Sequence, residues 1–349
     1  MPAVPALIQI ASMTSVAHPP LRICIFGAGA IGGYLAGHLA RAGLCQVSVV
    51  ARGAQLAAMR ANGLSVTTPQ GSFRVAVHAT DDAASLGPQD IVFITLKAQQ
   101  LDAALPQIAT LLDADTAVVP PTTGIPYWFF HGMGGPFNDR RLEAVDPGGR
   151  QWEVLHPRRV IGAVIWIGAH CTAPACVVQD GAQAGCPLGE PDGSSSPRLV
   201  RLAELFNASG IHARIRPDIR GDIWVKATNS LCFNPVATLT LARMRDLAAE
   251  AGAVALLRAM MTEVDALAAR LGLQIPYPPE KRIGVTLSAP DHKMSMLQDL
   301  EAGRALEWPV MAASLRAVRD LAGLPTPALD AVTALMNVRL ATYQTGSPG

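Results

Sequence analysis

The chain has 349 residues, half of them apolar, a net charge of +1 and six cysteines. Its length allows two domains, each with its own core. A near-neutral surface without a run of Lys or Arg argues against nucleic acid or a membrane surface as partner. Val160–Ala169 is strongly apolar but too short to span a bilayer, so it reads as a buried strand. Residues 1–20 hold Pro2, Pro5, Pro19 and Pro20 and no Asp, Glu, Lys or Arg. They lack the basic start and long apolar core of a secretory signal and read as a disordered extension, with Met13 a candidate start. The cytoplasm is the expected location, where thiols stay reduced. Cys24 reads as a small buried hydrophobe. Cys171, Cys176 and Cys186 lack the CxxC spacing of a structural zinc site, so no metal is expected.

Residues 21–26 form a short apolar run that breaks into Gly27-Ala28-Gly29-Ala30-Ile31-Gly32 and continues as a helical pattern from Tyr34. Strand, glycine turn and helix, in that order, are what a dinucleotide site requires. Gly27 permits the tight turn, Gly29 lets the backbone approach a pyrophosphate, and Gly32 lets helix and strand pack closely. Free N–H groups and the positive dipole end of the helix then hold the phosphates. A second strand follows over residues 46–52. An NAD site usually ends that strand in Asp or Glu, which accepts bonds from the ribose hydroxyls. Here the strand ends in Ala51-Arg52. Arg52 cannot accept those bonds but can pair with a 2′-phosphate through its planar fork, so NADPH/NADP is the expected cofactor.

Further strands of a doubly wound parallel sheet are expected at Phe73–Val77, Asp90–Thr95 and Thr116–Val119. A β-rich stretch follows, including Arg159–Ala169 and Ala213–Arg216. Segments 132–152 and 177–198, rich in Gly, Pro, Ser and Asp, read as loops. From Asp218 the apolar residues recur every three or four positions, most clearly over Ala251–Arg270. Gly272 can cap that helix, and Pro276 and Pro278 follow it. The expected architecture is therefore an α/β Rossmann-type domain with a parallel sheet over 21–216, then an all-α domain over 217–349.

A cofactor domain joined to a helical domain suggests a dehydrogenase with its site in the crevice between them. Reducing a carbonyl there requires a hydride and a proton donor at the oxygen. Lys226, Ser230 and Asn234 are four residues apart and share one face of a helix, as a polar strip in an apolar segment. Lys226 is thus a candidate acid, and equally a solvated lysine. Pro235 lacks an N–H and should kink this helix. Ser295 and Asp299 repeat the four-residue spacing, and Glu307 lies past Gly303; the same pattern fits a capped helix with a charged outer face. Lys97 and Thr123 follow strand ends, where Lys97 reads as an anion contact for cofactor or substrate, or as a salt-bridged loop lysine.

Together these segments resemble the ketopantoate reductases (2-dehydropantoate 2-reductases). The resemblance runs from about residue 21 to 340. It rests on Gly27-Ala-Gly-Ala-Ile-Gly32, Val50-Ala-Arg52-Gly53, Leu96-Lys97-Ala98, Gly124-Ile-Pro126, Lys226 with Asn234-Pro235, Ser295-Met-Leu-Gln-Asp299 with Gly303 and Glu307, and Gly323-Leu-Pro-Thr-Pro327. It implies NADPH-dependent reduction of 2-dehydropantoate to (R)-pantoate, on the route to pantothenate and coenzyme A. Lys226 would donate the proton. Ser230, Asn234 and Ser295 would bind the substrate, and Glu307 would contact the cofactor or hold the site's geometry. Arg52, Lys97 and Thr123 would line the cofactor side with the glycine-turn residues. The implied partner is a small-molecule 2-oxo acid, and a homodimer is the candidate assembly.

Two positions depart from the family pattern. Thr123 and Ser230 stand where the family commonly has Asn, and Asn229 lies one place before Ser230. A hydroxyl is shorter than an amide and makes fewer simultaneous bonds. One residue's shift turns a side chain about 100° around the helix, so Asn229 does not simply replace the missing amide. A paralogous reductase of another 2-oxo acid therefore stays open. So does an idle NADP-binding regulatory protein, against which the presence of both Lys226 and Glu307 speaks.

Overall fold

A computed structural model describes residues 19–121 and 123–345. Residues 1–18, the bulk of the expected extension, lie outside the described residues. The first unit runs β1 (Arg22–Phe26), α1 (Ala30–Ala42), β2 (Gln46–Val50), α2 (Gly53–Asn62), β3 (Leu64–Thr68), β4 (Gly71–Val75), β5 (His78–Thr80), β6 (Ile91–Ile94), α3 (Ala98–Ala109) and β7 (Ala117–Val119). After a long loop come α4 (Arg150–Val154), β8 (Gly162–Ala163), β9 (Trp166–Ala173), β10 (Cys176–Gly185), β11 (Leu188–Gly189) and α5 (Pro197–Ala208).

Five of these strands form a parallel sheet of order β5-β2-β1-β6-β7. β1, β6 and β7 are apolar at nearly every position because both their faces are covered, as a parallel sheet requires. A second sheet, of order β4-β3-β10-β9, lies against α1. Small residues on α1 make that contact possible. A Cβ at Gly37 would come within 2.4 Å of the Val66 side chain, and one at Gly33 within 2.7 Å of Val177. Helix α1 is thus held between two sheets.

Three expected elements differ. The strand near Phe73 is not in the parallel sheet: β4 turns back on β3 as an antiparallel hairpin, and His78–Thr80 takes the sheet edge instead. Residues 159–169 are not one strand, since β8 pairs with β11 and β9 with β10. Much of 177–198 is strand rather than loop. β10 pairs parallel with β3 only over Cys176–Val178; its turn-favouring remainder is held antiparallel to β9, and that pairing overrides local propensity.

The second unit is helical: α6 (Ile219–Thr240), α7 (Met244–Ala249), α8 (Ala251–Arg270), α9 (Pro279–Leu287), α10 (Ser295–Glu301), α11 (Trp308–Ala322) and α12 (Pro327–Thr345). Asp218 caps α6 by accepting from the Gly221 N–H at 3.3 Å. α6 runs through Pro235 as one helix, and α8, α10 and α12 pack around it. One apolar core joins the units. It passes from Val92, Ile94 and Val118 on the sheet through Trp128, Phe129 and Phe130 to Trp224 and Phe233 on α6. Arg220 fastens the same seam: its buried guanidinium donates to the Phe129 carbonyl at 2.6 Å and to the carbonyls of His131 and Pro191. Among the described residues no helix is long and apolar enough to cross a membrane.

Candidate active site

The glycine turn is built as its chemistry demands. Gly27 has φ +114°, where side chains are strained, and its N–H donates to the Val50 carbonyl at 3.0 Å. A Cβ on Gly32 would fall 1.9 Å from the Gly27 carbonyl oxygen and 2.5 Å from Thr95 Oγ1, which itself donates to that oxygen at 2.7 Å. A Cβ on Gly29 would meet nothing within 4 Å. Gly32 is therefore required by helix–strand packing, whereas the space over Gly29 is left for a ligand. A cavity of about 720 Å³ opens there, lined by Gly27, Ala28, Gly29, Arg52, Thr95 and Lys97 among others. Ala30, Ile31 and Gly32 sit in the first turn of α1, behind its lining. Arg52 is exposed at the rim, and its side chain makes no ion pair or hydrogen bond among the described residues. This open glycine floor, helix N-terminus and free guanidinium fit a dinucleotide phosphate.

Lys226 lies on α6 facing the first unit. Its ammonium donates to the Ile165 carbonyl, between β8 and β9, at 2.7 Å. Burial pulls its pKa down from 10.5 to about 8, opposed by the nearby Cys186 and Glu307. Glu307, at the start of α11, moves the other way. Burial raises its pKa, while Lys97, Lys226 and the Ala98 N–H at the head of α3 oppose the rise and Asp299 adds to it. A carboxyl whose pKa burial raises thus stands in electrostatic reach of an ammonium whose pKa burial lowers. Such opposed shifts mark proton-transfer sites.

Lys97 lines the cofactor cavity, yet its ammonium is committed to the helical unit. It pairs with Asp299 Oδ2 at 2.8 Å and approaches the Ala305 carbonyl at 3.4 Å. Arg304 takes the other oxygen of the same carboxylate, Nε to Oδ1, at 2.7 Å. Asp299 thus ties the end of β6 to the loop that carries Glu307. Asp299→Asn is expected to cost about 1–2 kcal/mol in urea unfolding. That is less than a buried pair costs, because Lys97 and Arg304 are partly screened by solvent. The loss should shrink in high salt; a loss unaffected by salt would point to packing instead.

Asn234 is buried, and its Oδ1 accepts from the Met296 N–H at 3.1 Å and faces the Ser295 hydroxyl at 3.5 Å. An α6 side chain thereby satisfies one of the orphan donors at the head of α10, and Ser295 is left exposed beside it. Ser230 is buried on the same face. Thr123 precedes Gly124 (φ +101°), where a Cβ would lie 3.5 Å from Ser314 Oγ of α11. The structure therefore brings Lys226 and Glu307 into electrostatic reach and joins Asn234 to Ser295, but no bond ties Thr123 to either.

The description Ketopantoate reductase PanE/ApbA matches residues 23–125, and its C-terminal counterpart matches residues 218–339. A 2-dehydropantoate 2-reductase of Mesorhizobium japonicum is 44% identical over 317 residues, covering 90% of this chain and 97% of that protein. The chain belongs to the ketopantoate reductase family. A solved structure described as a candidate ketopantoate reductase of Ralstonia solanacearum MolK2 is 38% identical with a TM-score of 0.87. It covers 93% of this chain and 99% of its own. A D-mandelate dehydrogenase solved with NADH and anilino(oxo)acetate shares the fold, with a TM-score of 0.77 at 18% identity, over 92% and 99% of the two chains. As a member of the family, the protein is an oxidoreductase.

Two groups at this reductase's candidate site are not evident from sequence. The Ile165 carbonyl is a backbone atom with no residue signature. Asp299 has the spacing of an ordinary helix face, and its partner Lys97 lies 202 residues away.

Proposed function

We propose that the protein reduces 2-dehydropantoate to (R)-pantoate with NADPH, in the cytoplasm and on the route to pantothenate and coenzyme A. In this reading the unit over 21–216 binds the cofactor, and the helical unit over 217–349 closes the substrate site. The observation that carries the reading is Lys226, an ammonium with its pKa pulled down to about 8, set across the cleft from the cofactor unit beside Glu307.

NADPH, when bound, supplies the hydride. The chain's residues do the rest. The N–H groups heading α1 and the Arg52 fork hold phosphates, and Ser230 and Ser295 offer hydroxyls to the substrate's oxygens. Lys226 has three N–H bonds; the Ile165 carbonyl takes one and aims the others, so a proton can pass from Nζ to the ketone oxygen as charge develops there. Glu307 holds negative charge near that ammonium and favours its protonated form between turnovers.

NADPH consumption with 2-dehydropantoate, run beside a panel of other 2-oxo acids, tests the reading. Thr123 and Ser230 favour a second one, reduction of a different 2-oxo acid, and a higher kcat/KM for another panel member would establish it. The cofactor choice has its own test. Arg52→Ala removes charge-assisted bonds worth about 1.5–3 kcal/mol, so NADPH affinity falls about 10–100-fold while NADH affinity hardly changes. Equal weakening of both cofactors would remove Arg52 from the 2′-phosphate.

A further inference from the structure

Between Ile219 and Thr238, α6 is buried at every position except Asp222, Lys226 and Asn229. Those positions are four and three residues apart, so they form one seam along the helix. The first two members of the seam reach into the cofactor unit. Asp222 accepts from Arg216 Nε at 2.5 Å, and Lys226 donates to the Ile165 carbonyl. The third has no such partner. Asn229 Oδ1 is shut off from solvent and receives no hydrogen bond. A buried polar atom left in this state destabilises the fold, and the cost persists unless a donor arrives with a ligand.

We propose that Asn229 is a specificity residue that reads a hydroxyl on the substrate's carbon chain. This rests on the 2-oxo acid reductase reading above. The chemistry of the oxygen narrows its partner. The carboxylate and ketone of a 2-oxo acid only accept hydrogen bonds at neutral pH, so neither can satisfy a carboxamide oxygen. A hydroxyl can donate to it. With the ketone held at Lys226, a hydroxyl one or two carbons along the chain lies toward the next turn of the same seam, where Asn229 stands. The substrate class is therefore a hydroxylated 2-oxo acid, and its deoxy counterpart leaves Oδ1 unpaired. Sites that pair with a substrate hydroxyl reject the analogue lacking it far more strongly than apolar pockets sort by size.

The test compares kcat/KM for 2-dehydropantoate and for 3,3-dimethyl-2-oxobutanoate, the same acid without its C4 hydroxyl, in the full-length protein saturated with NADPH. The wild-type protein should favour the hydroxylated acid by about 100-fold or more. Asn229→Ala should bring that ratio down to a few-fold, through loss on the hydroxylated acid alone. Asn229→Asp keeps an acceptor in place and should retain the preference. An unchanged ratio in Asn229→Ala overturns the proposal. Equal losses on both acids together with weaker NADPH binding also overturn it, and place Asn229 on the cofactor. A wild-type protein that reduces neither acid overturns the underlying reading, and this one with it.

Discussion

Lys226→Met lowers kcat by about 10²–10⁴-fold, the span expected when a positioned general acid is lost, and leaves NADPH affinity nearly intact. A ketone oxygen gains a full charge as hydride arrives, and in a closed cleft that charge is costly without a donor in hydrogen-bond reach. The dinucleotide cavity is lined by the first unit and does not include Lys226, so binding of the cofactor should not register the change. Single-turnover kinetics separates the chemical step from product release. A variant retaining more than about a third of wild-type turnover would reduce Lys226 to a binding residue, and the proton would then come from water.

The same lysine sets the pH dependence. Reduction needs its protonated form, and burial has brought its pKa down to about 8. kcat/KM for reduction should therefore fall as pH rises through about 8, and the Lys226→Met residual rate should lack that limb. Stability moves in the opposite direction. Between about pH 8 and 10.5 the unfolded chain binds a proton that the folded protein has released, so this group's contribution improves as pH rises across that window. Below it the folded protein carries the full cost of a buried charge. Lys226→Met should therefore be more stable than wild type at pH 7, by up to about 3 kcal/mol, with the gain gone above pH 10.5. Loss of the Ile165 hydrogen bond offsets about 1 kcal/mol of it. A variant less stable than wild type at pH 7 would mean the ammonium is better solvated than its surroundings imply.

Features that only one residue type can serve were readable from sequence. Gly27 must adopt a positive φ and Gly32 must lack a Cβ, so their spacing after an apolar run announces the turn before any tertiary contact is known. The three- and four-residue spacing past Asp218 likewise demands helix. Strand membership was less readable, because alternation fits either sheet: β4 has the pattern of a parallel strand and folds back on β3 instead. β10 was hidden for a different reason, since pairing with β9 imposes a strand on residues that favour turns. At the candidate site the side chains carry spacing signals, but their partners do not. The Lys97–Asp299 pair joins segments far apart in the chain, and the Ile165 carbonyl exists at every residue. Asn234 shows the limit most plainly. Its place beside Lys226 on the helix was visible, but only the fold shows its oxygen committed to the head of α10.

Gly32→Ala and Gly29→Ala should separate fold from binding at the glycine turn. At Gly32 the new methyl would lie 1.9 Å from the Gly27 carbonyl oxygen, a backbone atom, and 2.5 Å from Thr95 Oγ1. Neither can swing aside cheaply, because the hydroxyl holds that same carbonyl at 2.7 Å and the Gly27 N–H is bonded to Val50. Relief requires α1 to move off β1, which also loosens its contact with Val66 and Val177. The expected loss is at least about 1–3 kcal/mol of stability, together with loss of measurable NADPH binding as the helix N-terminus is displaced. Gly29→Ala should behave differently. Its methyl enters empty space, so thermal unfolding should match wild type. That space is where a phosphate would approach the backbone, and losing one charge-assisted bond of about 1.5–3 kcal/mol weakens NADPH by about 10–100-fold. Fluorescence titration with NADPH beside a melting curve resolves the pair. Equal NADPH affinity in Gly29→Ala and wild type would show that the pyrophosphate does not pass over this turn.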